Sequence, residues 1–359
     1  MVTRRCSQRR FLMLPDGDTT NAFLYCLAYA ASRSGVGILF FIACSNHWHG
    51  GIVDYDGRLP EFLECFHKLF AKHQNARFGR WENFWASEQT SVVQLVGPED
   101  IVTKAAYAVS NPVKDNLVDT ASQWVGASSW AAHLDGRELS AFRPRHFFRA
   151  DGPMPDKVSF SLARPPGLDE TTFVQLLTEQ VRRVEKQAAR HRAQTGTRAL
   201  GMKAVLEQRV GNRPKSREPR RRLRPRVACR NTWRRIEALM RNRLFVLAYR
   251  AARALFVAGA DSVFPAGCYW LAASPEFCAT RYLRPQAEFE LFIRDQSEGP
   301  RRGPGNVVSF RFRTKFTQGT LVWSRTAGGA ARIRDSSALA GRWPTAWPPH
   351  AATQSMVRP

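Results

Sequence analysis

Two histidines separated by a single residue are the first feature of this sequence that could do chemistry. His47 and His49 flank Trp48 in a segment, 47–53, that reads as a β-strand. Side chains alternate across a strand, so the two imidazoles project from one face while Trp48 points to the other. Two imidazoles one pleat apart can share a divalent cation. An isolated pattern of this length is weak, because two surface histidines on a strand are the commoner explanation.

A tyrosine and an asparagine four residues apart are the second feature. Tyr107 and Asn111 fall on one predicted helix, where residues at i and i+4 share a face. A tyrosine hydroxyl can act as a covalent nucleophile, and an asparagine oxygen is a neutral, hard ligand suited to Mg²⁺ or Mn²⁺. The alternative is a tyrosine packed against the sheet and an asparagine that ends the helix before Pro112.

Residues 1–130 supply the elements that would position these four side chains. Apolar periodicity and turn residues predict strands within 2–10 and at 36–43, 47–53 and 91–96. Helices are predicted at 21–33 and 59–76, and a third begins at Pro98 with acidic residues in its first turn. Short strands that alternate with helices indicate an α+β fold, a small antiparallel sheet with packed helices.

Other polar and aromatic side chains of this region have structural explanations. His67 and His73 are interpreted as helix-surface residues, and Asp54 and Asp56 as turn residues. Three aromatic residues could either stack on nucleic-acid bases or pack in the core: Trp81, Phe84 and Trp85.

The charge of the chain is concentrated in its second half. The net charge is +24, yet residues 1–130 hold 12 basic and 12 acidic residues. Residues 182–253 hold 23 Lys or Arg against 4 Asp or Glu, a net charge of +19. Such a density is typical of polyanion binding, although a basic solvated linker has the same composition. The candidate nucleic-acid-binding residues are Arg220, Arg221, Arg222, Arg224, Arg226, Arg234 and Arg235.

Composition and spacing divide the rest of the chain into three segments. Residues 131–181 form a loop-rich connector with a helix from 171 to 192. Residues 182–295 are a basic, mainly helical extension, in which 211–226 are too polar to form a core and 232–258 are an amphipathic helix. Residues 296–359 are rich in Gly, Pro, Arg and Ser, and we expect weak order there.

Several protein classes are disfavoured. The seven cysteines are scattered without a C-x-x-C pair, which argues against a disulfide framework or a cysteine zinc site. The longest apolar run, 36–44, is too short to cross a membrane, and the N-terminus does not look like a signal peptide.

Taken together, the motifs resemble the REP-associated tyrosine transposases, within the single-tyrosine HUH endonuclease superfamily. The likeness is carried by Ser45-Asn-His-Trp-His49 and, about sixty residues later, Tyr107-Ala-Val-Ser-Asn-Pro-Val113. Further matching segments keep the family's order: 2–12, 58–63, 79–85, 117–118 and 124–130. The resemblance covers about residues 1–130. The basic segment and Phe264-Pro-Ala-Gly are similar to the C-terminal extension of one proteobacterial branch.

The resemblance implies a ferredoxin-like HUH fold, called the palm, and a distinct role for each of the four side chains at the site. His47, His49 and Asn111 would bind Mg²⁺ or Mn²⁺, and Tyr107 would attack single-stranded DNA beside a hairpin, leaving a 5′-phosphotyrosine. Its partner would be repetitive palindromic DNA, and it would not bind a membrane. The protein would be a monomer or a homodimer. It would be located in the bacterial cytoplasm, associated with the nucleoid.

The sequence departs from the family at three places. Gly50 and Gly51 follow the histidines where branched apolar residues are usual, which predicts a looser site. Cys44 stands where methionine is common, and the last sixty residues have no counterpart. These departures keep a second hypothesis open, a DNA-hairpin-binding protein of the same fold that has lost cleavage. A basic RNA-binding protein with a coincidental histidine pair is a third.

Overall fold

The computed structural model describes residues 1–215, 225–265 and 268, together with the backbone of four strands between 302 and 335. The chain divides into two compact units, residues 1–285 and residues 286–359. The strands of the first unit are β1 (Val2–Arg5), β2 (Gly37–Cys44), β3 (His47–Val53), β4 (Ser91–Val92), β5 (Gln94–Leu95), β6 (Leu139–Phe142), β7 (Lys157–Phe160) and β8 (Val227–Ala228). Its helices are α1 (Gly17–Ser34), α2 (Leu59–Arg77), α3 (Pro98–Val109), α4 (Asn111–Lys114), α5 (Trp130–Asp135), α6 (Glu170–Thr195), α7 (Met202–Leu206) and α8 (Thr232–Val257).

The central element is a four-stranded antiparallel sheet in the order β2-β3-β1-β4. Strand β3 has the bounds that the sequence predicts, and the predicted N-terminal strand narrows to β1. The predicted strand 91–96 is two short strands, because β4 pairs with β1 whereas β5 pairs in parallel with β8. A small antiparallel sheet with packed helices is therefore present, as the sequence predicts.

Helices cover both faces of this sheet. Phe23 of α1 and Phe66 of α2 pack with Trp48 and Phe41 on one face. On the other face, residues of α3 and α6 such as Ala106 and Leu177 form a second core with Phe40, Ile42 and Cys44. The pairs Ile42–His49 and Cys44–His47 lie opposite each other across β2 and β3, so the histidines share the α3 face.

Local signals in the sequence account for the ends of the main helices. Asp16 caps α1 by accepting a hydrogen bond from the Thr19 amide at 2.8 Å, and Gly35 ends the helix in the left-handed conformation. The helix therefore begins at Gly17, before the predicted start at residue 21. At α3, the Asp100 carboxylate accepts from the Gly97 amide at 3.0 Å, which satisfies one of the amides left unpaired at the helix start. Helix α3 ends at Val109, so Tyr107 and Asn111 lie on consecutive helices rather than on one.

The segment 124–130 covers one edge of the central sheet. It runs along the outer edge of β2, where the Ala43 amide donates to the Ala127 carbonyl at 2.8 Å and the Ser129 amide to Phe41 at 3.0 Å. Trp124 and Trp130 are buried, and the Trp124 indole donates to the Ala43 carbonyl at 3.1 Å. The segment thereby covers a sheet edge that would otherwise expose unpaired backbone groups.

The two glycines after the histidines accommodate large neighbours. A Cβ atom at Gly51 would lie 2.2 Å from the Phe40 ring, and one at Gly50 would lie 2.5 Å from the Trp48 ring. Both rings are fully buried. Aromatic side chains therefore fill the space that branched residues would occupy at this pair.

Residues beyond 130 pack on the same unit. The hairpin of β6 and β7 lies against α1, and α6 lies along α3 and α4 with Phe173, Leu177 and Val181 buried. Arg192 of α6 forms an ion pair with Asp119 at 3.1 Å. The predicted helices 171–192 and 232–258 are present as α6 and α8 with nearly the expected bounds.

The second unit contains an antiparallel sheet where the sequence suggests weak order. Its strands are β9 (Arg302–Gly303), β10 (Val307–Arg313), β11 (Gln318–Arg325) and β12 (Ala331–Asp335), in the order β12-β11-β10-β9. Most of the segment 211–226, which is too polar to form a core, lies outside the described residues. Within the described part of the chain, no helix has the length and apolar character needed to cross a membrane.

Candidate functional site

The two histidines lie side by side on the α3 face of the sheet. Their ring centroids are 4.8 Å apart with nearly perpendicular planes. His49 is buried, and its ring contacts Tyr107 edge-on, with centroids 5.5 Å apart. Strand alternation therefore puts His47 and His49 together, and helix α3 brings Tyr107 against them.

Hydrogen bonds orient the His47 ring. Its Nδ1 lies 2.7 Å from Oδ1 of Asn46, and the Asn46 amide group donates through Nδ2 to the Arg9 carbonyl at 3.3 Å. Because that second bond fixes which end of the amide is the oxygen, His47 Nδ1 must be the donor. Nε2 of the neutral ring then carries the lone pair that a metal ion requires.

A threonine on the neighbouring strand orients the His49 ring. Thr3 pairs with His49 across β1 and β3, and its hydroxyl lies 2.8 Å from Nδ1. Nε2 of His49 is buried and has no hydrogen-bond partner among the described residues. The tautomer with Nδ1–H donated to Thr3 avoids burying an unpaired N–H, so Nε2 again carries a lone pair.

The surroundings of His49 keep it neutral. Burial lowers its pKa well below the usual value, and the neighbouring charges of His47, Arg5, Lys114 and Lys104 lower it further. A neutral imidazole with a bare, buried nitrogen is suited to ligate a cation, and its protonation would not compete at neutral pH.

Asn111 joins the group through Cys44. The buried Asn111 side chain accepts a hydrogen bond from the Cys44 thiol at 3.4 Å, and Cys44 lies opposite His47 in the sheet. Burial raises the pKa of Cys44 far above its ordinary value, so it remains a thiol. The weak thiol bond leaves the amide oxygen with capacity for a second partner.

Tyr107 lies at the edge of this group and is accessible, with 38% of its surface exposed. Burial of the remainder raises its pKa, as do the nearby Asp115 and Cys44, whereas Arg5 lowers it. The phenol is therefore protonated at neutral pH, and a nucleophilic role requires that its proton be removed.

The donor set fits a divalent cation in its chemistry. Two imidazole nitrogens and one amide oxygen are neutral ligands, so a bound cation would retain its charge for an anionic substrate. In the part of the chain that the structure describes, no group of three or more His, Cys, Asp or Glu is arranged to hold a metal ion. The candidate set is of another kind, since its third member is an asparagine.

The other histidine, aspartate and aromatic side chains named in the sequence analysis have different positions in the structure. His67 and His73 are not helix-surface residues: His67 accepts a hydrogen bond from the Trp48 indole at 3.2 Å, and His73 is 1% exposed. Asp54 accepts from the Arg58 and Leu59 amides at the start of α2, in keeping with a turn role. Phe84 and Trp85 are buried, whereas Trp81 is 94% exposed and remains available for stacking.

The basic candidates are only partly within the described residues. Arg220, Arg221, Arg222 and Arg224 lie outside them. Arg226 and Arg234 are exposed, and Arg235 donates to the Cys229 carbonyl at 3.2 Å. The segment that carries them is fixed to α3, because the Arg230 amide donates to the Asp100 carboxylate at 2.9 Å.

Sequence reasoning missed Thr3, Asn46 and Cys44 as partners of the candidate ligands. Asn46 precedes His47 directly and could have been weighed as a ring-orienting residue. Thr3 had no such signal, because its position depends on the register between β1 and β3. Comparisons with models of protein families, with curated proteins and with solved structures find no match to this chain.

Proposed function

We propose that this chain is a metal-dependent endonuclease and strand transferase that cuts single-stranded DNA through a covalent bond to Tyr107. The observation that carries the proposal is the buried His49 Nε2, which has no hydrogen-bond partner in the part of the chain that the structure describes and belongs to a ring in contact with Tyr107. A buried polar atom without a partner is costly and calls for an explanation, which a bound cation provides. The resemblance to single-tyrosine HUH transposases implies a role for these two residues, as ligand and nucleophile, and for His47 and Asn111 as further ligands.

In this proposal, His47, His49 and Asn111 hold Mg²⁺ or Mn²⁺. The cation supplies charge neutralisation at the scissile phosphate. Thr3 and Asn46 keep the two imidazoles in the tautomer whose Nε2 atoms can bind it. Neutral ligands are an advantage in such a site, because carboxylates would repel the phosphodiester.

The covalent step uses the Tyr107 oxygen. As the oxygen–phosphorus bond forms, the bond between phosphorus and the 3′-oxygen of the preceding nucleotide breaks. The phenol loses its proton to solvent or a nearby base, and the leaving oxygen gains one to become a 3′-hydroxyl. The phosphodiester energy is retained in the 5′-phosphotyrosine, so another 3′-hydroxyl can reverse the step and join two strands without ATP.

The expected partner is single-stranded DNA that carries a hairpin, held in part by the basic segment. Residues 182–253 bear a net charge of +19, and their Arg230 backbone is bonded to the first turn of the tyrosine helix. Phosphates neutralised by this segment would release counterions and supply general affinity. Base contacts nearer the sheet would supply sequence choice.

A hairpin-binding protein that does not cleave is the second candidate. The raised pKa of Tyr107 favours it, because a phenol that holds its proton is a poor nucleophile. The substrate, the fold and the basic segment would be the same in both cases, so only the chemistry separates them.

A denaturing gel separates the two. The full chain is incubated with Mg²⁺ or Mn²⁺ and a pool of single-stranded oligonucleotides in which a hairpin is flanked by randomised nucleotides. Nuclease activity predicts a labelled band that migrates with the protein and disappears with chelator. Retention of the pool on a native gel, with no covalent band under any metal, would support the second candidate.

A further inference from the structure

Two lysines lie against the ring of Tyr107. The Lys114 ammonium is 4.0 Å from the ring centroid, and that of Lys104 is 5.7 Å away. Lys104 precedes Tyr107 by one helical turn on α3, and Lys114 ends α4, the short helix that begins with Asn111. Both ammonium groups are therefore placed by the helices that carry the candidate nucleophile and ligand.

Charged groups of both signs lie around Tyr107. The Lys104 and Lys114 ammonium groups lie over the Tyr107 ring, and the Asp115 carboxylate and the Arg5 guanidinium also act on Tyr107. Among the described residues, no carboxylate forms an ion pair with Lys104 or Lys114. Burial lowers the pKa of Lys114, the nearby Asp115 carboxylate raises it, and the like charge of Lys104 lowers it.

Contact with an aromatic ring does not by itself explain this arrangement. A cation above a tyrosine at an exposed site gains only a small amount of free energy from the contact. Gathering like charges at one ring offsets part of that gain, and an anion between them would remove the repulsion. An ammonium group has three donors, so a lysine resting on the ring can still bind an anionic oxygen.

We infer that Lys104 and Lys114 form an anion site beside the Tyr107 hydroxyl that binds the non-bridging oxygens of a phosphodiester. As a specific role for these lysines in strand cleavage, the inference rests on the proposed function. The site binds phosphate without a metal ion, whereas the histidine side of Tyr107 binds the cation. Because both groups contact the Tyr107 ring, a phosphodiester bound to them would have its phosphorus within reach of the phenol oxygen.

The first test measures phosphate binding without cleavage. Inorganic phosphate is titrated into the full chain in EDTA, and the ring resonances of Tyr107 are followed by NMR after assignment with Tyr107→Phe. We expect the resonances to shift, with the dissociation constant about tenfold higher in Lys114→Met and no saturable shift in the Lys104→Met/Lys114→Met double variant. Lys68→Met is the matched control, because Lys68 is exposed on α2, which packs on the opposite face of the sheet.

The outcomes are distinguishable from those of the cleavage assay. Unshifted Tyr107 resonances, or equal affinity in the double variant, would overturn the anion site even if the protein cuts DNA. A lysine-dependent shift without any covalent adduct would support the site and count against the nuclease. If adducts do form, the double variant should form them at least tenfold more slowly at saturating DNA, and Lys114→Arg should restore part of the rate. Thermal melting verifies that each variant folds.

Discussion

Thr3 is the residue whose removal tests the ligand role of His49 with the least disturbance. Its hydroxyl is the hydrogen-bond partner of Nδ1, and valine has nearly the same shape without that hydroxyl. We expect Thr3→Val to lower Mn²⁺ affinity about 10- to 100-fold, which is the usual effect of losing the group that orients a ligating histidine. Isothermal titration of Mn²⁺ into the full chain measures this.

Thr103→Val provides the control. Its hydroxyl donates to the Glu99 carbonyl on the exposed side of α3. It takes no part in the hydrogen bonds that orient the two histidines. Unchanged Mn²⁺ affinity in Thr3→Val would mean that His49 is not a ligand or that another group orients it. Equal losses in both variants would point to a general change in the fold.

At the residue scale, the sequence pattern identified the candidate residues of the site but not the side chains that contact them. The i,i+2 spacing of the histidines suffices to place both rings on one face, because alternation is a property of every strand. Tyr107 and Asn111 lie on consecutive helices because the helix breaks at Ser110, and Cys44 is a neighbour of both. The partners Thr3 and Cys44 could not be predicted, since each depends on a pairing register that the sequence pattern does not specify.

Among the elements, Asp100 connects α3, the helix that carries Tyr107, to the basic segment 182–253. One carboxylate oxygen accepts from Gly97 at the start of α3, and the other accepts from the Arg230 amide just before α8. The side chain is 4% exposed, so both bonds are shielded from water. This single residue therefore sets where α8 begins relative to the helix that carries Tyr107.

We expect Asp100→Ala to lower the free energy of unfolding by about 2–4 kcal/mol, because a helix-start bond is lost and a buried amide is left unpaired. Adduct formation per bound DNA should fall as well, since α8 would no longer be fixed to α3. Urea unfolding and single-turnover cleavage are the measurements. The control is Glu99→Ala, which removes only an exposed ion pair with Arg234 at 3.8 Å and should change stability by less than about 1 kcal/mol. Equal effects of the two substitutions would refute the joining role.

The sequence predicted which helices and strands are present better than it predicted which of them pack or pair with each other. The strands and long helices follow from periodicity, as β3, α6 and α8 illustrate. The covering of the β2 edge by residues 124–130 was not foreseen, because the glycine and serines there resemble those of a linker. The two tryptophans that flank the segment were the available signal, since large indole rings are rarely left exposed.

For the whole molecule, the helices after residue 130 are part of the first unit rather than an appendage. A chain that ended near residue 135 would remove α6 and uncover the core formed by α3 with Phe173, Leu177 and Val181. The contribution of the basic segment is therefore better tested by replacing exposed arginines of α8 than by truncation.

Buried histidines give the whole molecule a defined pH dependence of stability. Burial lowers the pKa of His67 to about 3 and the pKa values of His73 and His133 to about 4. In the unfolded chain these groups titrate near 6.5, so below that pH the unfolded state binds more protons. The free energy of unfolding is therefore retained above about pH 7 and decreases as the pH falls from 6.5 toward 4.

Each of these histidines should contribute up to about 1.4 kcal/mol per pH unit in that window. Urea unfolding at a series of pH values between 5 and 7.5 measures the slope. His133→Gln should make the slope shallower by roughly one histidine's share. A stability that is flat from pH 7 to pH 5 would show that these side chains become protonated without unfolding.

The central claim is that Tyr107 becomes covalently bonded to DNA, and mapping the adduct tests it most directly. The full chain is incubated with Mn²⁺ and the hairpin-bearing oligonucleotide pool, digested with trypsin and nuclease, and analysed by mass spectrometry. Trypsin releases residues 105–114, in which Tyr107 is the sole tyrosine. The account predicts a nucleotide linked through its 5′-phosphate to this peptide, a free 3′-hydroxyl on the other DNA fragment, and neither product with Tyr107→Phe. An adduct on another residue, or metal-dependent cleavage that persists in Tyr107→Phe, would contradict it.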